Sequence, residues 1–148
     1  MVKKKDKVIF DANIFLSFFL TSGPTITTLF NIWQSGFIQL FASPEIIAEI
    51  KRVSEYPKLQ KYLTDEDKRR LFIMTHRMVK KSYPKEKISF PRDQGDSIYL
   101  EAAVSCGADY ILTGDRDLLD LEKYKNIIII SPSEFIKLIS TSRKSPES

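Results

Sequence analysis

The 148 residues contain one cysteine, Cys106, and one histidine, His76. A lone thiol excludes an internal disulfide, and together with a lone imidazole it excludes the thiolate cages and histidine clusters that hold zinc. A metal bound to this chain must be held by oxygen, which points to Mg2+ or Mn2+. Cys106 follows Ala102, Ala103 and Val104 and reads as a small buried hydrophobe. Long hydrophobic runs are missing as well: Ile14 to Leu20 is far too short to span a bilayer, and Ile127 to Ile130 has the length of a strand. The basic start, Met1-Val2-Lys3-Lys4-Lys5, lacks the apolar core and cleavage site of a secretory signal. The expectation is a cytoplasmic protein with no membrane partner.

What is present has the balance of a soluble globular domain, 43% hydrophobic and 28% charged. One core suffices at this length. The reading is a basic N-terminal extension at 1–7, a single domain at 8–140 and a disordered tail at 141–148. The net charge of +4 is unevenly spread, because residues 51–87 carry twelve Lys or Arg against five acids while acids dominate the rest of the domain. Such a division suits a protein that holds a cation in one place and a polyanion beside it. Taken alone, Lys68-Arg69-Arg70 and Lys80-Lys81 equally well solvate helix faces.

Two apolar runs end on a carboxylate: Val8-Ile9-Phe10 on Asp11, and Tyr110-Ile111-Leu112-Thr113-Gly114 on Asp115. Strands are expected at 7–11, 37–42, 109–113 and 127–130, with room for a short one at 88–90 in the loop 82–93. Helices are expected between them. Ser43-Pro44-Glu45 opens one with Ile46, Ile50 and Val53 inward, and Thr64 caps another that runs to about Lys81 with Leu71, Met74 and Met78 as its stripe. Asp93 caps the next, with Ile98, Ala102 and Cys106 inward and Gly107 as its stop; Ser131-Pro132-Ser133 starts the last, with Phe135, Ile136 and Ile139 inward. Strands alternating with helices make a parallel sheet covered on both faces.

Each acid has a structural role available to it. Asp11 or Asn13 can cap the first helix, Glu49 can pair with Arg52 at i+3, Asp93 and Asp96 can serve the start of a helix, and Asp115 and Asp117 can be turn residues. Their joint placement points elsewhere. Asp11 and Asp115 leave the same edge of the sheet, Asp96 opens the helix leading into the strand before Asp115, and Glu49 overhangs that edge. Ligands of open parallel sheets bind outside the carboxyl ends of the strands. Carboxylates gathered there do not all ionise cheaply unless a cation neutralises them, so the pattern predicts a divalent metal.

The chain resembles the PIN domain family in its order of short motifs, from about Val8 to Ile139. These are Asp11-Ala12-Asn13, the helix start Ser43-Pro44-Glu45-Ile46-Ile47-Ala48-Glu49, Tyr56-Pro57-Lys58-Leu59, Asp93-Gln94-Gly95-Asp96, the stretch from Ala108 to Leu119, and Ser133-Glu134-Phe135. The resemblance implies a three-layer α/β/α fold with a central parallel sheet of four to five strands. It implies a metal-dependent ribonuclease, and among family members a toxin of a toxin-antitoxin pair or an RNA-processing nuclease. Carried over residue by residue, the acidic site falls on Asp11, Glu49, Asp96 and Asp115, with Asp117 as a further metal ligand and Asn13, Thr113 and Asp93 in support. Two departures bear on the number of metals: Ser97 stands where relatives often have a second acid, and Gln94 replaces a frequent proline.

What the resemblance implies is hydrolysis of single-stranded or structured RNA with Mg2+ or Mn2+, leaving a 5′-phosphate and a 3′-hydroxyl. A cognate antitoxin and a second copy of the chain are the implied protein partners. Lys and Arg from residues 51–87 would meet phosphates, and Tyr56, Tyr62 or Tyr83 could stack on bases. His76 is poorly placed for a general base. Two rivals compete: a phosphoreceiver domain, which would need an acid pair after the first strand and a Lys after the last, and a PIN-like scaffold without activity. The last strand here runs into Ser131-Pro132, which speaks against the first rival.

Overall fold

Short apolar runs, Val8-Ile9-Phe10, Tyr110-Ile111-Leu112 and Ile127 to Ile130, become inner strands, and the capped segments between strands become helices. The chain runs β1 (Asp6–Phe10), α1 (Ala12–Leu20), α2 (Pro24–Gln34), β2 (Ile38–Ala42), α3 (Pro44–Ser54), α4 (Asp65–Arg77), β3 (Lys80–Lys81), α5 (Ser97–Cys106), β4 (Tyr110–Leu112), α6 (Arg116–Leu119), β5 (Lys123–Tyr124), β6 (Ile127–Ile130) and α7 (Pro132–Arg143). This computed structural model describes residues 2–21, 23–90 and 94–143, and of Gln94, Ser142 and Arg143 only the backbone. Asp93 lies outside the described residues.

The strands form one sheet in the order β3-β2-β1-β4-β6-β5, parallel throughout except for the antiparallel pair of β5 and β6. Val8, Ile9 and Phe10 of β1 and all of β4 are buried, whereas β2 and β6 alternate. That is the burial expected of two central strands covered on both faces and two less central ones. Helices flank the sheet, giving the three-layer α/β/α architecture. Phe10, Phe15, Phe18, Phe30 and Trp33 pack ring against ring at centroid distances of 5.2 to 6.5 Å where β1, α1 and α2 meet.

The local signals that start and stop the helices act as chemistry requires. Ser43 Oγ accepts from Ile46 N–H at the start of α3. Thr64 and Asp67 exchange side-chain and backbone hydrogen bonds in a reciprocal box at the start of α4. Gly107 ends α5 at φ 67°, ψ 43°, the left-handed conformation in which glycine has no Cβ to clash. No single helix among the described residues is long and apolar enough to cross a membrane.

Several sequence expectations need correction. The sheet has six strands, not four or five, because β3 and β5 are two-residue strands too short to carry any periodicity. β3 occupies Lys80 and Lys81, which the apolar stripe assigned to α4; the helix stops at Arg77, and Met78 is 37% exposed. Residues 88–90 form no strand. A 3-10 turn at Gln94–Asp96 precedes α5, whose buried face carries Tyr99, Leu100, Ala102 and Ala103, with Ile98 and Cys106 only partly buried. At the termini, Val2 is buried in the core, β1 begins at Asp6, and α7 continues to Arg143.

Candidate metal centre

Strand order reverses at β1, since β2 and β3 lie to one side of it and β4 to the other. At such a switch point the connections leave in opposite directions and open a crevice at the carboxyl ends of the two strands. Asp11 follows β1 directly, and Thr113, Gly114 and Asp115 follow β4. Asp11 N–H donates to Leu112 O at 3.1 Å, so the two tips are held side by side by one further rung of the sheet.

Thr113 ties the tips together through its side chain. Fully buried, its hydroxyl donates to Asp11 Oδ2 at 2.5 Å and accepts from Asp115 N–H at 3.0 Å. Asp11 Oδ1 accepts from Ile14 N–H at 3.1 Å and caps α1, while Asp115 Oδ1 accepts from Asp117 N–H at 2.8 Å and caps α6. Both aspartates thus cap a helix and line the crevice. A helix start fixes the carboxylate, and the sheet edge aims the start of the helix at the crevice.

The crevice is a cleft of about 290 Å³, lined among others by Asp11, Asn13, Glu49, Asp96, Tyr99 and Asp115. Carboxylate oxygens of Asp96, Asp115 and Asp117 lie within 4.8 Å of one another. Metal–oxygen distances of about 2.0–2.6 Å can bridge that separation. The donors are all hard carboxylate oxygens, with no thiolate or imidazole among them, and so fit a hard divalent cation.

Asp11 is outside that trio and joins it through Thr113. Its side chain is 5% exposed, and burial raises its pKa above the ordinary carboxylate range against the lowering effect of the Thr113 hydroxyl and the backbone N–H groups of Ile14, Gly114 and Asn13. Glu49 lines the cleft, but both its oxygens are taken by Arg52, at 2.9 Å to Nε and 2.8 Å to the terminal nitrogen. The same guanidinium lies over the ring of Tyr56 at 5.4 Å. Glu49 thus keeps the ion pair that its i+3 spacing from Arg52 allows, at the border of the acids.

Tyr99 was missed by the sequence reading. Its hydroxyl accepts from Ala12 N–H at 3.1 Å, pinning α5 to the start of α1. Burial first, and then the charges of Asp11, Glu49 and Asp96, push its phenol above the ordinary value, against the hydrogen bond from Ala12. The available signal was its spacing: Tyr99 stands three residues after Asp96 and so shares a helix face with it.

A profile of the PIN domain family matches residues 7–117, a span that contains Asp11, Glu49, Asp96, Asp115 and Asp117. The chain is 30% identical over 146 residues to the uncharacterized protein MJ1680 of Methanocaldococcus jannaschii, with 93% of this chain and 94% of that protein covered. The crystal structure of PAE2754 from Pyrobaculum aerophilum matches it with a TM-score of 0.58 at 15% identity, over 91% of this chain and 90% of that one. That likeness is one of fold.

Proposed function

The chain belongs to the PIN domain family, and from that premise we propose that it is a metal-dependent endoribonuclease, with Asp96, Asp115 and Asp117 holding Mg2+ or Mn2+ and Asp11 beside them. PIN domains are generally nucleases. The observation that carries the reading is the gathering of three carboxylates within 4.8 Å at the sheet's switch point, where Asp11 is tied to Asp115.

A divalent cation bound there supplies Lewis-acid activation of water and positive charge beside the phosphate under attack. The chain's own groups set the geometry. Thr113 fixes one oxygen of Asp11 and the backbone of Asp115, so the two strand tips move as one unit. The start of α6 holds Asp115 and Asp117 in one turn. Arg52, 60% exposed at the mouth of the cleft, presents a guanidinium to an incoming phosphate. Asn13 adds a neutral side chain to the lining.

Single-stranded RNA is the substrate we favour, because the basic segment 51–87 runs from α3 to the loop after β3 and its Arg52 lines the cleft. The reading extends to a cytoplasmic homodimer acting as the toxin of a toxin-antitoxin pair, and family resemblance alone supports that extension. A second reading, an RNA- or protein-binding scaffold without activity, is favoured by one observation, the capture of both Glu49 oxygens by Arg52.

Cleavage of a labelled single-stranded RNA decides between them. The nuclease reading expects hydrolysis with Mn2+ that stops on chelation and is lost in Asp11→Asn and Asp115→Asn while their circular dichroism is unchanged. Undiminished cleavage by either folded variant, or none by the parent protein, contradicts it.

A further inference from the structure

Helix α3 has two working faces. Glu49, Arg52 and Val53 line the acidic cleft, whereas Ile47, Lys51 and Ser54 line a second hollow between α3 and α4. At 100° per residue these two sets fall on opposite sides of the helix. The second hollow has a volume of about 420 Å³, within the ~300–1,000 Å³ typical of clefts that bind small molecules.

The floor of the hollow is apolar, with Ile47, Ile50 and Leu71. Its rim is basic. Lys51, Lys68 and Lys81 surround it, against the single acid Glu55. On the α4 side stands an aromatic pair: the rings of Phe72 and His76 are stacked at 4.0 Å with 25° between their planes, and Phe72 is 56% exposed. His76 Nδ1 lies 2.9 Å from Phe72 O, which fixes the imidazole over its neighbour. Lys81 Nζ donates to Thr75 O at 3.2 Å, and Lys68 Nζ donates to Gln60 Oε1, so two of the three ammonium groups are held at the rim.

An apolar slot, a preformed stack whose Phe72 is 56% exposed and three lysines match the two halves of a nucleotide, a flat base and an anionic phosphate. We propose that this hollow binds one unpaired base of single-stranded RNA on Phe72, with the flanking phosphates on Lys51 and Lys68, as a subsite one helix width from the cleavage cleft. The proposal rests on the ribonuclease reading for its substrate. A helix with its side chains is about 10–12 Å across, so a strand reaching over α3 occupies both faces, whereas a dinucleotide in the cleft leaves the hollow empty. The three tyrosines considered from sequence are not part of this stack.

The test measures binding and hydrolysis separately. Binding of a fluorescein-labelled 12-nucleotide RNA to the full chain is followed by anisotropy in chelator, and hydrolysis of that RNA and of a dinucleotide is followed with Mn2+. Phe72→Ala is expected to weaken 12-mer binding by about 5- to 140-fold, the equivalent of the ~1–3 kcal/mol typical of base–aromatic stacking, and to leave dinucleotide hydrolysis unchanged. Phe72→Trp restores binding. Lys51→Ala combined with Lys68→Ala makes the slope of log K against log salt shallower by about 1.4, at ~0.7 per phosphate contact on a single strand. Equal 12-mer affinity in Phe72→Ala and the parent overturns the subsite. So does a change from dimer to monomer in Phe72→Ala with RNA affinity intact, since the face is then a subunit interface. Phe72-dependent binding without hydrolysis of either RNA leaves the subsite standing and removes the nuclease; hydrolysis of both, indifferent to Phe72, does the reverse.

Discussion

Thr113 donates its hydroxyl proton to Asp11 Oδ2 at 2.5 Å, so the residue after one central strand holds the residue after the other. The Thr113 hydroxyl oxygen in turn accepts from Asp115 N–H. Thr113→Val keeps the shape and removes both bonds, leaving a buried carboxylate oxygen and a backbone N–H with one partner fewer. The expected cost is about 1–3 kcal/mol of stability, together with a ~10–100-fold loss of Mn2+ affinity, as for other groups that orient metal ligands. Thr113→Ser retains both properties. Chemical denaturation and calorimetric titration of the two variants check this, and a valine variant with parental Mn2+ affinity contradicts it.

Burial raises the Asp11 pKa above its ordinary value of 3.8. In the metal-free protein the folded state therefore holds the proton more tightly than the unfolded chain does. Asp11 makes no difference to stability below the unfolded pKa, and it costs stability as pH rises through the folded pKa. Asp11→Asn removes that slope, and the metal-free variant is expected to be the more stable one at neutral pH. Urea midpoints measured in chelator from pH 4 to 8 test it. Parallel curves for parent and variant rule out the burial penalty assigned to Asp11.

Arg52 and Glu49 neutralise each other at the cleft's edge, so the arginine competes with any cation for this carboxylate. Arg52→Ala frees Glu49. Mn2+ affinity is expected to rise, while the salt dependence of single-stranded RNA binding becomes shallower by about 0.7 in log K against log salt, as for one lost phosphate contact. Calorimetry and anisotropy read the two effects independently. A variant unchanged in both assigns Arg52 to neither task.

The central strands and most helix starts were legible because each rests on a local rule. Val8-Ile9-Phe10 and Tyr110-Ile111-Leu112 are continuous apolar runs, and Ser43, Thr64 and Gly107 act through contacts within a few residues. β3 and β5 were not legible, because two lysines or a Lys-Tyr pair become strands only when a neighbouring strand offers its edge. The site divides in the same way. Asp11 and Asp115 could be placed from the strand tips, but the grouping of Asp96 with Asp117 depends on how the 3-10 turn before α5 meets the turn after β4. The spacing of Tyr99 from Asp96 marks its helix face, but its bond to Ala12 N–H depends on how α5 meets α1, which no local pattern encodes.

Asp96, Asp115 and Asp117 bring carboxylate oxygens within 4.8 Å of one another, the spacing on which the proposed cation site rests, with Asp11 fixed beside them. Calorimetric titration of Mn2+ into the metal-free protein addresses it without reference to any RNA. Saturable binding is expected in the parent, with at least a tenfold weakening in folded Asp96→Asn and in folded Asp115→Asn, in keeping with the loss of a charged oxygen ligand. No binding in the parent, or binding that both variants retain at parental strength, contradicts it.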